Sequence, residues 1–77
     1  MPICAYIFIE CAMGTAKDVA REASRIMGVK QASVTTGPYD VVVLVETLDV
    51  SNLGDFIVTK IQGLSGVLKT QTNIIVD

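Results

Sequence analysis

The residues best suited to hold a small molecule are concentrated in Thr35-Thr36-Gly37-Pro38-Tyr39-Asp40. A turn bearing glycine exposes backbone N–H and C=O groups, Tyr39 offers a ring with a polar tip, and Asp40 can pair with an ammonium group. The same residues also suit a plain hairpin turn, because Pro38 fixes its own φ and drives Gly37 out of the helical region. Both uses stay open, since one backbone geometry serves either.

Little else in the chain points to chemistry. There is no histidine, and no serine or cysteine stands beside a recognisable general base, so an enzyme is not expected. Glu10, Glu46 and Asp55 read as isolated, solvated carboxylates. Cys4 and Cys11 form no C-x-x-C pair, so neither a metal site nor a disulfide framework is expected, and no cofactor is implied. Both read as reduced thiols of a cytoplasmic protein, with Cys4 packing as a small apolar residue.

With 77 residues the chain reads as a single domain spanning residues 1–77, and 51% of it is hydrophobic. A domain of this size buries only about 60% of the surface its unfolded chain exposes, so part of the apolar surface is expected to meet another subunit. The formal charge is −2, and Lys17, Arg21, Arg25, Lys30, Lys60 and Lys69 are scattered singly. Direct nucleic-acid binding is therefore not expected. The apolar run at residues 3–9 follows no basic residue and is too short to span a bilayer, so neither a signal peptide nor a membrane helix is expected.

Flanking elements must position the turn. Ile3-Cys4-Ala5-Tyr6-Ile7-Phe8-Ile9 predicts a strand apolar on both faces. Thr15 suits an N-cap, after which Val19, Ala20, Ala23, Ile26 and Met27 recur at helical spacing, and Gly28 provides the stop. A strand over 29–36 leads into the turn at 37–40, and Val41-Val42-Val43-Leu44-Val45 predicts a buried strand beyond it. Asp49 or Ser51 caps a second helix carrying Leu53, Phe56, Ile57, Ile61 and Leu64 on one face. Gly66 ends it, and the last strand covers about 67–76.

The order strand, helix, strand, strand, helix, strand predicts an α+β, ferredoxin-like βαββαβ sandwich, a four-stranded antiparallel sheet with two helices on one face. Ile26-Met27-Gly28-Val29 and Leu64-Ser65-Gly66-Val67 echo each other at corresponding points of the two halves. The polar strands at 30–36 and 69–73 suit sheet edges, and the apolar ones suit its centre. Those central strands do not alternate apolar with polar, so the face without helices is expected to be buried against the same face of a twin subunit.

The ordered set of helix end, Gly28-Val29, Thr36-Gly37-Pro38-Tyr39-Asp40, apolar strand, helix, Gly66-Val67 and Thr70-Gln71-Thr72 resembles the regulation-of-amino-acid-metabolism domain of Lrp/AsnC regulators over nearly the whole chain. Met27 and Ser65 stand where that family often has proline, and no helix-turn-helix DNA reader is expected within residues 1–77. The resemblance implies a homodimer assembled into a ring of dimers, with an effector such as an amino acid bound between dimers. It further implies that Thr36, Gly37, Pro38, Tyr39 and Asp40 contact the effector's α-amino and α-carboxyl ends. Thr70 and Thr72 would add hydroxyls, though threonine equally suits an ordinary edge strand. A DNA-binding relative is an implied partner. Two other uses of the fold remain open: a small enzyme of the dimeric α+β barrel type and a purely structural oligomerisation module.

Overall fold

Register decides where the core sits. In the computed structural model, which describes residues 2–77, the strands are β1 (Ile3–Cys11), β2 (Val29–Val34), β3 (Val41–Thr47) and β4 (Val67–Ile74). All pairings are antiparallel and the order is β2-β3-β1-β4, which puts the two most apolar strands in the centre and the polar ones at the edges. Ala5, Ile7 and Ile9 stand opposite Val45, Val43 and Val41, and all six are fully buried. Onto this face pack Val19, Ala20 and Ala23 of α1 (Ala16–Ala23) and Leu53, Ile57 and Ile61 of α2 (residues 50–62). The expected ferredoxin-like α+β plan is the observed one.

The alternate residues Cys4, Tyr6, Phe8, Val42 and Leu44 point to the other face, which neither helix covers. Tyr6 is 42% exposed, while Phe8, Val42 and Leu44 are half-buried. Side chains two apart share a face of a strand, so Phe8 and Leu44 belong together on this open side.

The internal echo is one turn used twice. Val29 N–H donates to the Ile26 carbonyl at 3.1 Å and Val67 N–H to the Leu64 carbonyl at 3.3 Å, with Gly28 at φ +99° and Gly66 at +97°. Only glycine reaches that φ without a Cβ clash. At Gly66 a Cβ would also stand 2.7 Å from Thr15 Oγ1, and at Gly28 2.8 Å from Ile57 Cδ1, so each turn is pressed against the helix layer.

Several boundaries differ from those expected. α1 stops at Ala23 rather than at Gly28, because Arg25 and Ile26 N–H groups turn to the Glu22 and Ala23 carbonyls in tighter three-residue steps, which leaves Met27 82% exposed. Thr15 holds the N-cap position, but its hydroxyl donates to the Ala12 carbonyl at 2.7 Å instead of accepting a helix amide. Its φ of −106° and ψ of −4° lack the extended geometry that aims a cap side chain at the first turn. β1 and β3 run on to Cys11 and Thr47, whereas β2 stops at Val34 and β4 at Ile74.

The second helix departs most. Asp49 is its cap, accepting the Asn52 amide at 2.7 Å. Its middle, Leu53–Val58, is a π-helical turn, in which the Thr59 hydroxyl also donates to the Gly54 carbonyl at 3.1 Å. The wider turn keeps Leu53, Ile57 and Ile61 on the sheet but rotates Phe56 outward to 38% exposure, against its expected place on the buried stripe. Its ring lies 5.6 Å from the Lys60 ammonium instead.

Candidate functional site

The 35–40 loop is closed by hydrogen bonds within itself and tied by another to β1. Thr35 N–H donates to the Asp40 carbonyl at 2.9 Å, the Thr35 hydroxyl to the Tyr39 carbonyl at 3.1 Å, and Asp40 N–H to the Ile9 carbonyl at 2.9 Å. Thr36, Gly37 and Pro38 are left exposed at the tip, with Gly37 at φ +105°. A tip held at its base but open at its apex can present backbone groups to a ligand without a large ordering cost.

Asp40 has a structural task the sequence did not reveal. Its Oδ2 accepts the Cys11 amide at 2.7 Å, where the β1–β4 register slips between Glu10 and Cys11. A bond to a charged acceptor contributes about 1.5–3 kcal/mol. An ionised carboxylate has roughly four lone-pair sites, so Asp40 keeps capacity for a second donor. Burial, and after it the Asp40 charge, push the Cys11 thiol above its ordinary range, with a Thr15 hydrogen bond acting the other way.

Tyr39 leaves the hairpin in another direction. Its ring packs on Phe8 with centroids 5.2 Å apart, and its hydroxyl donates to Gln71 Oε1 at 2.9 Å. Gln71 lies between Thr70 and Thr72 but faces the opposite way. Thr70 and Thr72 pair in register with Ile9 and Ile7 and so share the helix side of β4, where the Thr70 hydroxyl accepts from Gln62 Nε2 at 3.1 Å. Within one chain, therefore, the Tyr39 ring and the two threonine hydroxyls stand on opposite faces of the sheet and line no common cavity.

Besides a smaller hollow of about 250 Å³ beside Pro2 and Lys30, two lie away from the hairpin tip. One of about 310 Å³ on the open face is lined by Tyr6, Gln31, Ser33, Thr35, Val42 and Leu44. The other, about 510 Å³, lies at the opposite end of the sheet among Met27, Leu48, Asn52 and Phe56. Among the described residues no group of three or more His, Cys, Asp or Glu is placed to hold a metal ion. Glu46 is not isolated, since Lys30 Nζ lies 3.6 Å from its Oε1. Arg21 and Arg25 are likewise paired, with Asp18 and Glu22, which offsets their positive charge locally. No helix among the described residues is long and apolar enough to cross a membrane.

Gln71 is the residue that sequence reading passed over. Strand alternation separates it from Thr70 and Thr72, but its partner Tyr39 is 32 residues away, beyond the reach of any local pattern.

A β2-β3-β1-β4 sheet with helices on one face, an apolar opposite face and a hairpin with an exposed tip defines a ferredoxin-like α+β domain. Residues 4–77 match the Lrp/AsnC ligand binding domain, and the chain belongs to that family, which is regulatory. No curated protein sequence matches it. A hypothetical protein from Pyrococcus horikoshii is 32% identical, with 96% of this chain and 89% of that one covered and a TM-score of 0.87. A protein from Thermus thermophilus is 29% identical, with 97% and 94% covered and a TM-score of 0.90. A transcriptional regulator from Neisseria meningitidis, solved as its L-Met complex, shares the fold at 17% identity and a TM-score of 0.84. This chain is covered over 97% of its length there and spans half of that regulator.

Proposed function

We propose that the protein is an effector-binding and oligomerisation domain that pairs through the open face of its sheet, assembles into a ring of dimers and takes a small amino acid between dimers. The observation that carries this reading is the open face itself. Tyr6, Phe8, Val42 and Leu44 form an apolar centre, and Gln31 and Ser33 of β2 with Gln71 and Asn73 of β4 form polar margins. An apolar, aromatic centre with a polar rim is the anatomy of a protein interface.

Because Tyr39 and the two threonines face opposite ways, one chain alone offers no joint pocket. Contact between subunits is the way in which Thr36, Gly37, Pro38, Tyr39 and Asp40 of one chain meet Thr70 and Thr72 of another. The Gly37 turn supplies backbone donors, Asp40 the partner for an ammonium group, and the threonines hydroxyls. The formal charge of −2 and the locally paired arginines argue against nucleic-acid contact by these residues. A role in transcription then needs a DNA-binding chain or domain with which this one is joined or assembled.

Calorimetric titration with the common amino acids tests the site, beginning with L-methionine because a regulator of the same fold is solved with it. Asp40→Asn is the informative variant. Its amide oxygen still accepts the Cys11 N–H while the negative charge is gone, so fold and dimer should survive. Binding of an ammonium-bearing ligand should weaken by about 1.5–3 kcal/mol. Titrations without heat for every amino acid would favour a purely structural module. Binding indifferent to both Asp40→Asn and Thr72→Val would move the pocket elsewhere.

A further inference from the structure

The hairpin is held by two arms of different physical character. Asp40 reaches β1 through a charged, part-buried bond to the Cys11 amide. Tyr39 reaches β4 through a bond between neutral groups on the exposed face, its hydroxyl donating to Gln71 Oε1. The Gln71 amide is oriented for this, because its Nε2 donates to Asn73 Oδ1 at 3.0 Å and leaves Oε1 turned toward the tyrosine. The Tyr39 ring rests on Phe8, and Phe8 lies 6.3 Å from Tyr6 between ring centroids, so the second arm is built into the apolar centre of the open face.

In water a neutral hydrogen bond contributes little, since both groups are equally well solvated apart. The same bond strengthens where water is excluded. The first arm is already sheltered in a single chain. The second becomes sheltered only when another surface covers the open face.

We infer that Gln71 is a positioning residue for the 35–40 hairpin, acting through Tyr39, and that sheet-to-sheet pairing tightens this latch and so orders the hairpin. The inference rests on the proposed pairing of two copies through the open face. Its consequence is that hairpin order depends on assembly. Because Gln71 sits between Thr70 and Thr72, the latch also fixes the hairpin relative to the strand that carries the threonine hydroxyls. A separated subunit would present a loose tip, and a paired one a set tip.

Hydrogen exchange of segment 35–40, followed by mass spectrometry, tests this on the whole chain, with sedimentation velocity reporting the dimer at each concentration. In the wild type, the protection of the Thr35 and Asp40 amides should rise as dilution is reversed and the dimer forms. Tyr39→Phe keeps the ring on Phe8 and Gln71→Met keeps the bulk. Each should reduce hairpin protection in the dimer by roughly two- to tenfold, the effect of one neutral hydrogen bond. The double variant should be no worse than either single one, because both remove the same bond. A merely structural role for Gln71 would leave the concentration dependence of hairpin protection intact. Equal protection in wild-type and Gln71→Met dimers, or additive losses in the double variant, would overturn the inference. So would a wild type that stays monomeric throughout, and sedimentation would then assign the failure to the pairing rather than to the latch.

Discussion

The two faces of the sheet are made by alternate residues of the same strands, yet they are different kinds of surface. Toward the helices point Ala5, Ile7, Ile9, Val41, Val43 and Val45, which are small or β-branched and fully buried. Away from them point Cys4, Tyr6, Phe8, Val42 and Leu44, which include both aromatic residues of β1 and are only part-covered. Branched aliphatics suit a close helix layer, because they fill the pleat and lose little side-chain freedom there. Aromatic rings with a polar margin suit a surface that meets another surface and must be soluble before it does. Hydrophobicity alone does not separate a core from an interface. Residue size and the polarity of the rim do.

Neighbouring substitutions on β1 sharpen that contrast. Ile7→Ala should destabilise the subunit by about 2–5 kcal/mol, the range for truncating a buried aliphatic, at any protein concentration. Phe8→Ala should cost the separated subunit about 1 kcal/mol, since its ring is only half-covered there, and should cost the assembly more. Urea unfolding at two protein concentrations distinguishes them. Equal losses at both positions, independent of concentration, would break the distinction between the faces.

The two cysteines give a smaller, chemical version of the comparison. Cys4 lies on the open face and Cys11 on the helix side, at the far end of the same strand. Alkylation of Cys4 should slow as protein concentration rises and the open face is covered. Alkylation of Cys11 should be slow at every concentration, because burial and the neighbouring Asp40 carboxylate disfavour its thiolate. The raised thiol favours the protonated folded form, so its contribution is fully present below the unfolded-state pKa and is lost as pH rises through the folded-state value. Cys11→Ala should remove that modest alkaline loss of stability, as thermal melts across the thiol range would show.

Much of the fold was legible in the sequence because its signals are local. Glycines closed Ile26-Met27-Gly28-Val29 and Leu64-Ser65-Gly66-Val67, the helical stripe at Val19, Ala20 and Ala23 matched the buried one, and valine runs marked β3. The hairpin at 35–40 was legible for the same reason. The assignment of Phe8 and Leu44 to a face was not, because the strands are apolar on both sides and alternation carries no sign there. The π turn escaped because Leu53, Phe56, Ile57 and Ile61 fit an ordinary α stripe, and only the packed helix shows Phe56 turned out. The bonds from Asp40 to Cys11 and from Tyr39 to Gln71 join residues 29 and 32 positions apart, so no local pattern encodes them.

Sedimentation velocity on the wild type and on Leu44→Lys tests the central claim most directly. Leu44 belongs to the open face and is no part of the buried core, so a lysine there can keep its ammonium in water in a single subunit but not between two sheets. The wild type should sediment as a dimer or larger at micromolar concentration, and Leu44→Lys as a folded monomer with an unchanged far-ultraviolet spectrum. A wild-type monomer, or a Leu44→Lys variant that assembles like the wild type, would contradict the assignment of the open face as the interface.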